Sequence, residues 1–348
     1  MLSSWSDAAE RLIAALLGGG PELNLDELAE EAGLEPEFAQ RYWQLMGLPV
    51  TDPSAREFTH EDANALRHLA QASSREGLDD RTMGTLIRSV GHSTERLSLW
   101  HFEALVDHVV RRDGVSDPEA RLKVAQEMSR LAPALEKQLV HAWRRQMAAL
   151  VGRQAVEFGA GVRRDSVARA EGGELPLPRA VGFADIVSFT RLTAQLGASE
   201  FAEFIQTFET RARDIVTANG GRVVKTVGDA LLFIADDVVT GADVALSLAS
   251  ADEADMAVAG YAGRPVRVSL VWGRVLSRFG DVFGPSVNLA SRLTDQAAPS
   301  TVLMDQVTAH RLVNNPRFAQ TTLEPREVAG LGVLTPVRLD WARAPEAH

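Results

Sequence analysis

The hydrophobic periodicity of this 348-residue chain changes once, near residue 160, and this change limits what the chain can fold into. Before it, apolar residues recur every three or four positions, as on one face of an amphipathic helix. After it, runs of β-branched residues alternate with helical segments. The stretch between 158 and 178 has neither period and is rich in glycine, proline and charge. We therefore predict an α+β protein with an all-α domain at 1–158, a linker at 159–178 and a mixed domain at 179–342.

Clusters of glycine and proline predict where the helices of the first domain end. We expect breaks at 18–21, 47–53, 77–80 and 113–118, and a further break around Pro133. The last helix then starts near Pro133 and carries one apolar face, formed by Leu135, Leu139, Trp143, Met147 and Leu150.

The second domain shows alternating strand and helix patterns. We predict strands at 180–187, 266–276 and 301–304, a hairpin at 222–234, and helices at 201–218, 238–250 and 285–297.

The composition excludes several classes of protein. The chain has no cysteine, which rules out disulfides and thiol catalysis and suits a reducing cytosol. Its net charge of −11 argues against a nucleic acid bound through broad phosphate contact. No window approaches the roughly twenty apolar residues of a membrane helix, and Asp7 and Glu10 lie where a signal peptide would be basic. We expect a cytoplasmic protein without a membrane span.

Two aspartates interrupt apolar strands of the second domain. Asp185 lies inside the run 181–190, where an unpaired carboxylate would be costly, and Asp229 follows Gly228 at a hairpin tip. Adjacent strands would bring these carboxylates together as hard oxygen ligands for Mg²⁺ or Mn²⁺. Alternatively, Asp185 caps the following helix and Asp229 makes the turn.

A third polar group lies on the predicted helix that Pro285 begins. Asn288 and Arg292 are four positions apart, so they share one helical face between apolar neighbours. Taken alone, this pattern also fits a structural hydrogen-bonded pair on a mostly buried helix.

Three stretches together resemble the catalytic domain of class III nucleotide cyclases. They read Phe-Ala-Asp-Ile-Val-Ser-Phe-Thr at 183–190, Lys-Thr-Val-Gly-Asp at 225–229, and Asp-Val-Phe-Gly at 281–284 with Val-Asn-Leu-Ala-Ser-Arg-Leu at 287–293. The resemblance covers roughly residues 178–340 and implies a ferredoxin-like catalytic domain.

The resemblance also implies a role for individual residues. Asp185 and Asp229, with the backbone carbonyl of Ile186, would hold two Mg²⁺ or Mn²⁺ ions per site. Lys225 and Asp281 would read adenine, which offers an acceptor at N1 and a donor at its 6-amino group. ATP is therefore the expected substrate, and 3′,5′-cyclic AMP and pyrophosphate are the expected products.

The remaining roles implied by the resemblance concern the reacting end of the substrate. Asn288 would position the ribose and the reacting phosphate, Arg292 would stabilise charge that develops on the phosphate, and Phe189 and Thr190 would contact substrate. In this family the metal ligands come from one catalytic domain and the other residues from its partner. A head-to-tail homodimer with two equivalent sites is therefore expected.

Other functions remain open on the sequence alone. A guanylyl or dual-specificity cyclase is disfavoured by Lys225 and Asp281, and a catalytically silent regulator that binds nucleotide is disfavoured by the intact motif positions. The further basic residue that some family members use for the triphosphate is not assigned.

The segment 23–48 resembles a helix-turn-helix with Gly33 in the turn. Its second helix offers only Arg41 as a cation, whereas acidic residues surround it, so phosphate would be repelled. We interpret this segment as a packing element and not as a DNA-binding element.

The all-helical domain followed by a cyclase domain resembles bacterial cyclases that an N-terminal domain inhibits at neutral pH and releases in acid. Six histidines precede the linker: His60, His68, His92, His101, His108 and His141. The hypothesis is that protonation shifts the helix at 133–158 and lets two catalytic domains close. Ordinary structural histidines, and a small apolar ligand in this domain, are alternatives.

Overall fold

The computed structural model describes residues 2–161, 177–187, 189, 197–251, 265–278, 280–328 and 330–342. The chain forms two compact units, which divide between residues 167 and 168. Within the described ranges, no helix is long and apolar enough to span a membrane.

The described part of the first unit is helical. Its helices are α1 (Leu2–Leu17), α2 (Leu25–Ala32), α3 (Pro36–Met46), α4 (His60–Glu76), α5 (Asp80–Asp113) and α6 (Asp117–Gly161). Asn24 and Thr59 begin α2 and α4 by accepting hydrogen bonds from backbone N–H groups of the first turn. The ends of α3, α4 and α5 confirm the breaks predicted at 47–53, 77–80 and 113–118.

A small core joins α2, α3 and α4. Leu28 and Leu66 are fully buried there, and the ring of Trp43 stacks on Phe58 at a centroid distance of 5.3 Å. Gly33 turns the chain from α2 into α3 with φ of 72°, a conformation that a residue with a Cβ rarely adopts. The aromatic residues of α3 therefore face this core, as expected for a packing element.

The predicted break at Pro133 is wrong, because α6 continues through this residue. A proline inside a helix removes one backbone hydrogen bond and costs about 3 kcal/mol. The first half of α6 offsets this cost by burying Ala120, Val124 and Ala132, and the first two pack with Val106 and Val109 of α5. Trp143, on the predicted apolar face, is 62% exposed.

We predict that Gly91→Ala destabilises the first unit by about 1–3 kcal/mol, the usual range for overpacking. A Cβ at Gly91 of α5 would lie 2.4 Å from the backbone oxygen of Met46, which closes α3. Gly152→Ala is the matched control, because a Cβ in that part of α6 meets nothing within 4 Å. It should stabilise the helix by about 0.5–1 kcal/mol. Urea unfolding followed by circular dichroism measures both changes, and equal effects would contradict the close packing.

The second unit mixes strands and helices. Its strands are β1 (Leu177–Ile186), β2 (Arg222–Val227), β3 (Ala230–Ala235), β4 (Val266–Arg278), β5 (Asp281–Phe283), β6 (Val302–Met304), β7 (Phe318–Thr322), β8 (Arg326–Val328), β9 (Gly332–Leu334) and β10 (Val337–Trp341). Its described helices are α7 (Ala198–Ala218), α8 (Val238–Ala249), α9 (Pro285–Gln296) and α10 (Gln306–Leu312).

The main sheet has the order β2-β3-β1-β4-β6-β10-β7, and β5 pairs with β4 outside this path. The first four strands are mutually antiparallel neighbours, with α7 between β1 and β2 and α8 between β3 and β4. This is the ferredoxin-like βαββαβ arrangement. The predicted α+β class and the ferredoxin-like catalytic fold are therefore confirmed.

Each face of the sheet has its own core. On one face, apolar residues of α7, α8 and α10, among them Phe208 and Leu312, cover Phe233 and Leu270. On the other face, α9 packs Ala290 and Leu293 against Val181, Leu232 and Val271. Residues alternate between faces along each strand, so a polar residue beside Val181 or Leu232 in this alternation lies on the α9 face.

Candidate active site

Asp185 lies next to the end of β1, between two neighbouring strands. It pairs with Ala230 of β3 on one side and with Arg267 of β4 on the other. The alternation along β1 places its side chain on the α9 face, and the residue is 8% exposed. The expectation that something must compensate this buried carboxylate is confirmed by its contact with Arg267.

Arg267 is a residue that the sequence analysis missed. Its Nε lies 2.7 Å and its Nη2 2.5 Å from Asp185 Oδ2. Its Nη1 also donates to the backbone carbonyl of Asp295, 3.3 Å away at the end of α9. The signal was present in the strand itself, because the alternation from Val266 to Val271 puts one arginine among apolar residues. That this arginine lies opposite Asp185, however, is known only from the register between β1 and β4.

The pKa of Asp185 is raised above its ordinary value. Burial is the main cause, and the neighbouring Asp229 carboxylate adds to the increase, whereas Arg267 opposes it. The Asp229 carboxylate is therefore close enough to disfavour the charge of Asp185. Such a pair becomes favourable when a cation lies beside it.

Asp229 lies in the turn between β2 and β3, as predicted. Gly228, the preceding turn residue, has φ of 63°, and this permits the tight connection. The backbone carbonyl of Asp229 accepts a 3.3 Å hydrogen bond from the N–H of Ile186. The Ile186 side chain is buried in the core of the opposite face, so only its backbone is available beside the carboxylates.

The donor set at this place fits a magnesium-type ion. The described residues contain no cluster of three or more His, Cys, Asp or Glu side chains that could hold a metal by themselves. An ion at this place would therefore take only two carboxylates from side chains. Two carboxylates without imidazole or thiolate are what Mg²⁺ needs from a protein when waters and substrate phosphates supply its other ligands. Asp185, Asp229 and the Ile186 carbonyl therefore suit that role chemically.

Lys225 and Asp281 meet on the surface of the sheet. Lys225 pairs with Leu232 of β3, which places it on the same face as Asp185 and α9. Its Nζ lies 2.5 Å from Asp281 Oδ2 in β5, and both side chains remain partly exposed. The structure thus brings together a donor and an acceptor that are 56 positions apart in sequence.

Asn288 and Arg292 lie on one exposed face of α9. Arg292 has 54% of its side chain exposed, and its Nη1 lies 3.7 Å from Asp295 Oδ2 on the next turn. The interpretation of these residues as a buried structural pair is therefore wrong. The buried residues of α9 are Ala290, Leu293 and Thr294, whereas Asn288 and Arg292 face solvent.

The other two residues predicted to contact substrate are placed differently. The ring of Phe189 packs against Phe201 of α7 at a centroid distance of 5.7 Å, beside the core of the α7 face. Thr190 lies outside the described residues.

Comparison with known proteins identifies the family of the second unit. The model of the adenylate and guanylate cyclase catalytic domain matches residues 179–339. An adenylate cyclase of Glutamicibacter nicotianae is 38% identical over 336 residues, which cover 96% of this chain and 82% of that protein.

Two further relatives span both units of the chain. An adenylate cyclase of Streptomyces coelicolor is 34% identical, with 94% of this chain and 88% of the relative covered. A pH-sensitive adenylate cyclase of Mycobacterium tuberculosis is 27% identical, with 90% and 76% covered. The length and identity of the first two matches show that this chain belongs to the class III adenylate and guanylate cyclase family of enzymes.

Proposed function

We propose that this protein is an adenylyl cyclase that converts ATP to 3′,5′-cyclic AMP and pyrophosphate. The observation that carries the proposal is the Lys225–Asp281 pair on the same sheet face as Asp185, whose carboxylate lies near that of Asp229. Adenine N1 would accept a hydrogen bond from the Lys225 ammonium, and Asp281 would accept one from the 6-amino group. The relatives named adenylate cyclase support this choice of base.

Asp185, Asp229 and the backbone carbonyl of Ile186 would hold two Mg²⁺ or Mn²⁺ ions. When bound, these ions would acidify the ribose 3′-hydroxyl and neutralise charge on the triphosphate. Arg267, whose guanidinium already lies beside Asp185, would donate its remaining N–H groups to phosphate oxygens. It would take the triphosphate role that the sequence analysis left unassigned.

The reaction would be completed from a second copy of the chain. Asn288 and Arg292 point away from the protein on α9, whereas Asp185 is held by Arg267 in the sheet. A head-to-tail homodimer would bring the exposed α9 face of one protomer to the carboxylates of its partner. Asn288 would then orient the ribose and Arg292 would stabilise the charge that develops on the reacting phosphate.

A product assay tests the proposal directly. Purified protein is incubated with ATP and Mn²⁺ at pH values from about 5 to 8, with GTP in parallel, and the products are identified by mass spectrometry. We expect cyclic AMP and little cyclic GMP. A preference for GTP would support a guanylyl cyclase, and no product at any pH would support a silent regulator that binds nucleotide.

We further propose that residues 1–158 regulate a catalytic domain at 179–342 through the linker at 159–178. The similarity to a cyclase named pH-sensitive supports a response to acid. The test compares the pH dependence of the whole protein with that of residues 170–348. If the shorter chain shows the same acid activation, the first unit is not the sensor.

His60 contacts two carboxylates in the part of the first unit that the structure describes. Its Nδ1 lies 2.8 Å from a Glu31 oxygen of α2, and its Nε2 lies 3.7 Å from a Glu22 oxygen before that helix. The hydrogen bond and charge of Glu31, with a smaller effect of Glu22, raise the pKa of His60 above its ordinary value. Protonated His60 therefore ties the start of α4 to α2.

We predict that this contact stabilises the first unit in acid. The stabilisation should be complete below the ordinary histidine pKa of about 6.5 and lost as the pH rises through the higher folded-state value. Glu31→Gln should lower the pKa of His60 toward its ordinary value, because only the smaller effect of Glu22 remains, whereas Glu30→Gln, one residue away on α2, should not. Titration of the His60 ring protons by NMR measures both shifts. A wild-type pKa at or below the ordinary value would contradict the prediction.

A further inference from the structure

A chain of polar groups crosses the buried interface between β1, β4 and α9. The backbone N–H of Phe183 lies 3.3 Å from Ser269 Oγ, which lies 2.8 Å from Thr294 Oγ1. Thr294 Oγ1 in turn lies 2.9 Å from the backbone carbonyl oxygen of Ala290. Ser269 is fully buried and Thr294 is 3% exposed. These two hydroxyls therefore lie in the α9 core, where an unmade hydrogen bond is costly.

The direction of these hydrogen bonds follows from counting hydrogens. Each hydroxyl carries one hydrogen and two acceptor lone pairs. All three contacts are satisfied together if Phe183 N–H donates to Ser269, Ser269 donates to Thr294, and Thr294 donates to the Ala290 carbonyl. A series of this kind is mutually polarised and directional, and it connects the backbone of β1 to the backbone of α9.

Ser269 lies where the regular pairing of β1 with β4 is interrupted. Val181 pairs with Val271 and Ala184 with Val268, but no register pair joins the residues between them. A Cβ on Gly182 would lie 2.5 Å from the Ser269 carbonyl oxygen, so the strands approach closely there. The Ser269 hydroxyl supplies an acceptor for the Phe183 N–H at this irregularity.

Two residues of β4, Ser269 and Arg267, contact the last turns of α9. These two residues are two positions apart on β4, so their side chains lie on the same face of the sheet. Ser269 contacts Thr294, and Arg267 joins the carbonyl of Asp295 to the carboxylate of Asp185. Arg292 lies two residues before Thr294. The height of α9 on the sheet is thus fixed by polar contacts next to Asp185.

We propose that Thr294 and Ser269 are positioning residues that set the reach of Arg292 into the site of the partner protomer. This role rests on the proposed adenylyl cyclase function. Apolar packing of Ala290 and Leu293 alone permits small sliding of the helix, whereas a directional hydrogen bond to β4 does not. Because Arg292 acts on the reacting phosphate, its displacement lowers kcat, while adenine recognition by Lys225 and Asp281 keeps KM nearly constant.

The test substitutions are Thr294→Val and Thr294→Ser. Valine keeps the volume and removes the hydroxyl, and we expect kcat for cyclic AMP formation to fall by about tenfold or more, since a misplacement of about 1 Å can cost a hundredfold. KM for ATP should change by less than about twofold, as for an interaction made only in the transition state. Serine keeps the hydroxyl and should retain most of the activity.

A double-mutant cycle separates positioning from general damage. In an Arg292→Ala background, Thr294→Val should have little further effect on kcat, because the group that it positions is gone. If valine lowers kcat by the same factor in both backgrounds, or leaves it unchanged in the wild type, the positioning role is overturned. If Thr294→Val does not fold, Thr294→Ala, which removes the hydroxyl and keeps Ser269 as the acceptor of the Phe183 N–H, takes its place in the cycle.

The outcomes also distinguish this inference from the function on which it rests. A folded wild-type protein that forms no cyclic AMP overturns the adenylyl cyclase function and, with it, the role of Thr294. An active wild type whose Thr294→Val variant keeps its kcat overturns the positioning role alone.

Discussion

Asp185→Asn is expected to lower kcat for cyclic AMP formation by at least about a hundredfold, the usual loss for one electrostatic contact of a reacting centre. The amide keeps the size of the side chain but removes the negative charge that would hold a divalent cation. Stability should not fall in parallel. Burial and Asp229 raise the pKa of this carboxylate despite its contact with Arg267, so the neutral amide relieves burial and repulsion in exchange for that contact.

Asp340→Asn is the matched control for this substitution. Asp340 lies on β10 of the same sheet and pairs with Arg338 at 2.8 Å, so it is also a carboxylate beside an arginine. Its replacement should leave kcat near the wild-type value. Steady-state kinetics with thermal unfolding measures both variants. A folded Asp185→Asn protein that keeps more than about a tenth of the wild-type kcat would show that this carboxylate does not hold an essential ion.

Mixing two inactive variants is expected to restore activity. Asp185→Asn leaves the exposed α9 face intact, and Arg292→Ala leaves the carboxylate pair intact. A mixed dimer therefore contains one complete site and one site that lacks both Asp185 and Arg292. Random exchange of protomers makes half of the dimers mixed, so about a quarter of the wild-type activity should return. The rate of cyclic AMP formation is measured after the two proteins are incubated together.

The control for this experiment mixes Asp185→Asn with Asp229→Asn. Both substitutions affect the same half of the site, so every site in every dimer lacks one carboxylate, and activity should stay at the level of the single variants. Recovery in this control would contradict the proposed division of residues between protomers. Absence of recovery in the first mixture would indicate a site completed within one chain.

The sequence predicted most of the second unit, because its strands and helices carry strong periodicity. The strand at 180–187, the hairpin at 222–234 and the helix at 285–297 all lie within a few residues of the observed elements. Strands β5 and β7 to β10 were not predicted, since each has only three to five residues. Such short strands are defined by their neighbours and not by their own pattern.

The residues of the candidate site likewise include some that the sequence predicted and some that it did not. Local pattern was enough to indicate Asp185 and Asp229, because each is a charge inside an apolar run. Arg267 lies 82 positions from the aspartate that it contacts, and only the register between β1 and β4 brings the two together. The hydroxyls of Ser269 and Thr294 were also missed, since two small polar residues in apolar segments have no distinctive spacing.

The passage of α6 through Pro133 has a mechanical consequence. The helix has 45 residues, so it is about 68 Å long at a rise of 1.5 Å per residue. The proline removes the hydrogen bond to the carbonyl of Ser129 and leaves one weak joint in an otherwise continuous rod. Beyond this joint the arm is about 42 Å long, so a bend of only about 10° moves its tip by about 7 Å. A small change in the bend angle at Pro133 thus becomes a displacement of several ångströms at the C-terminal end of α6.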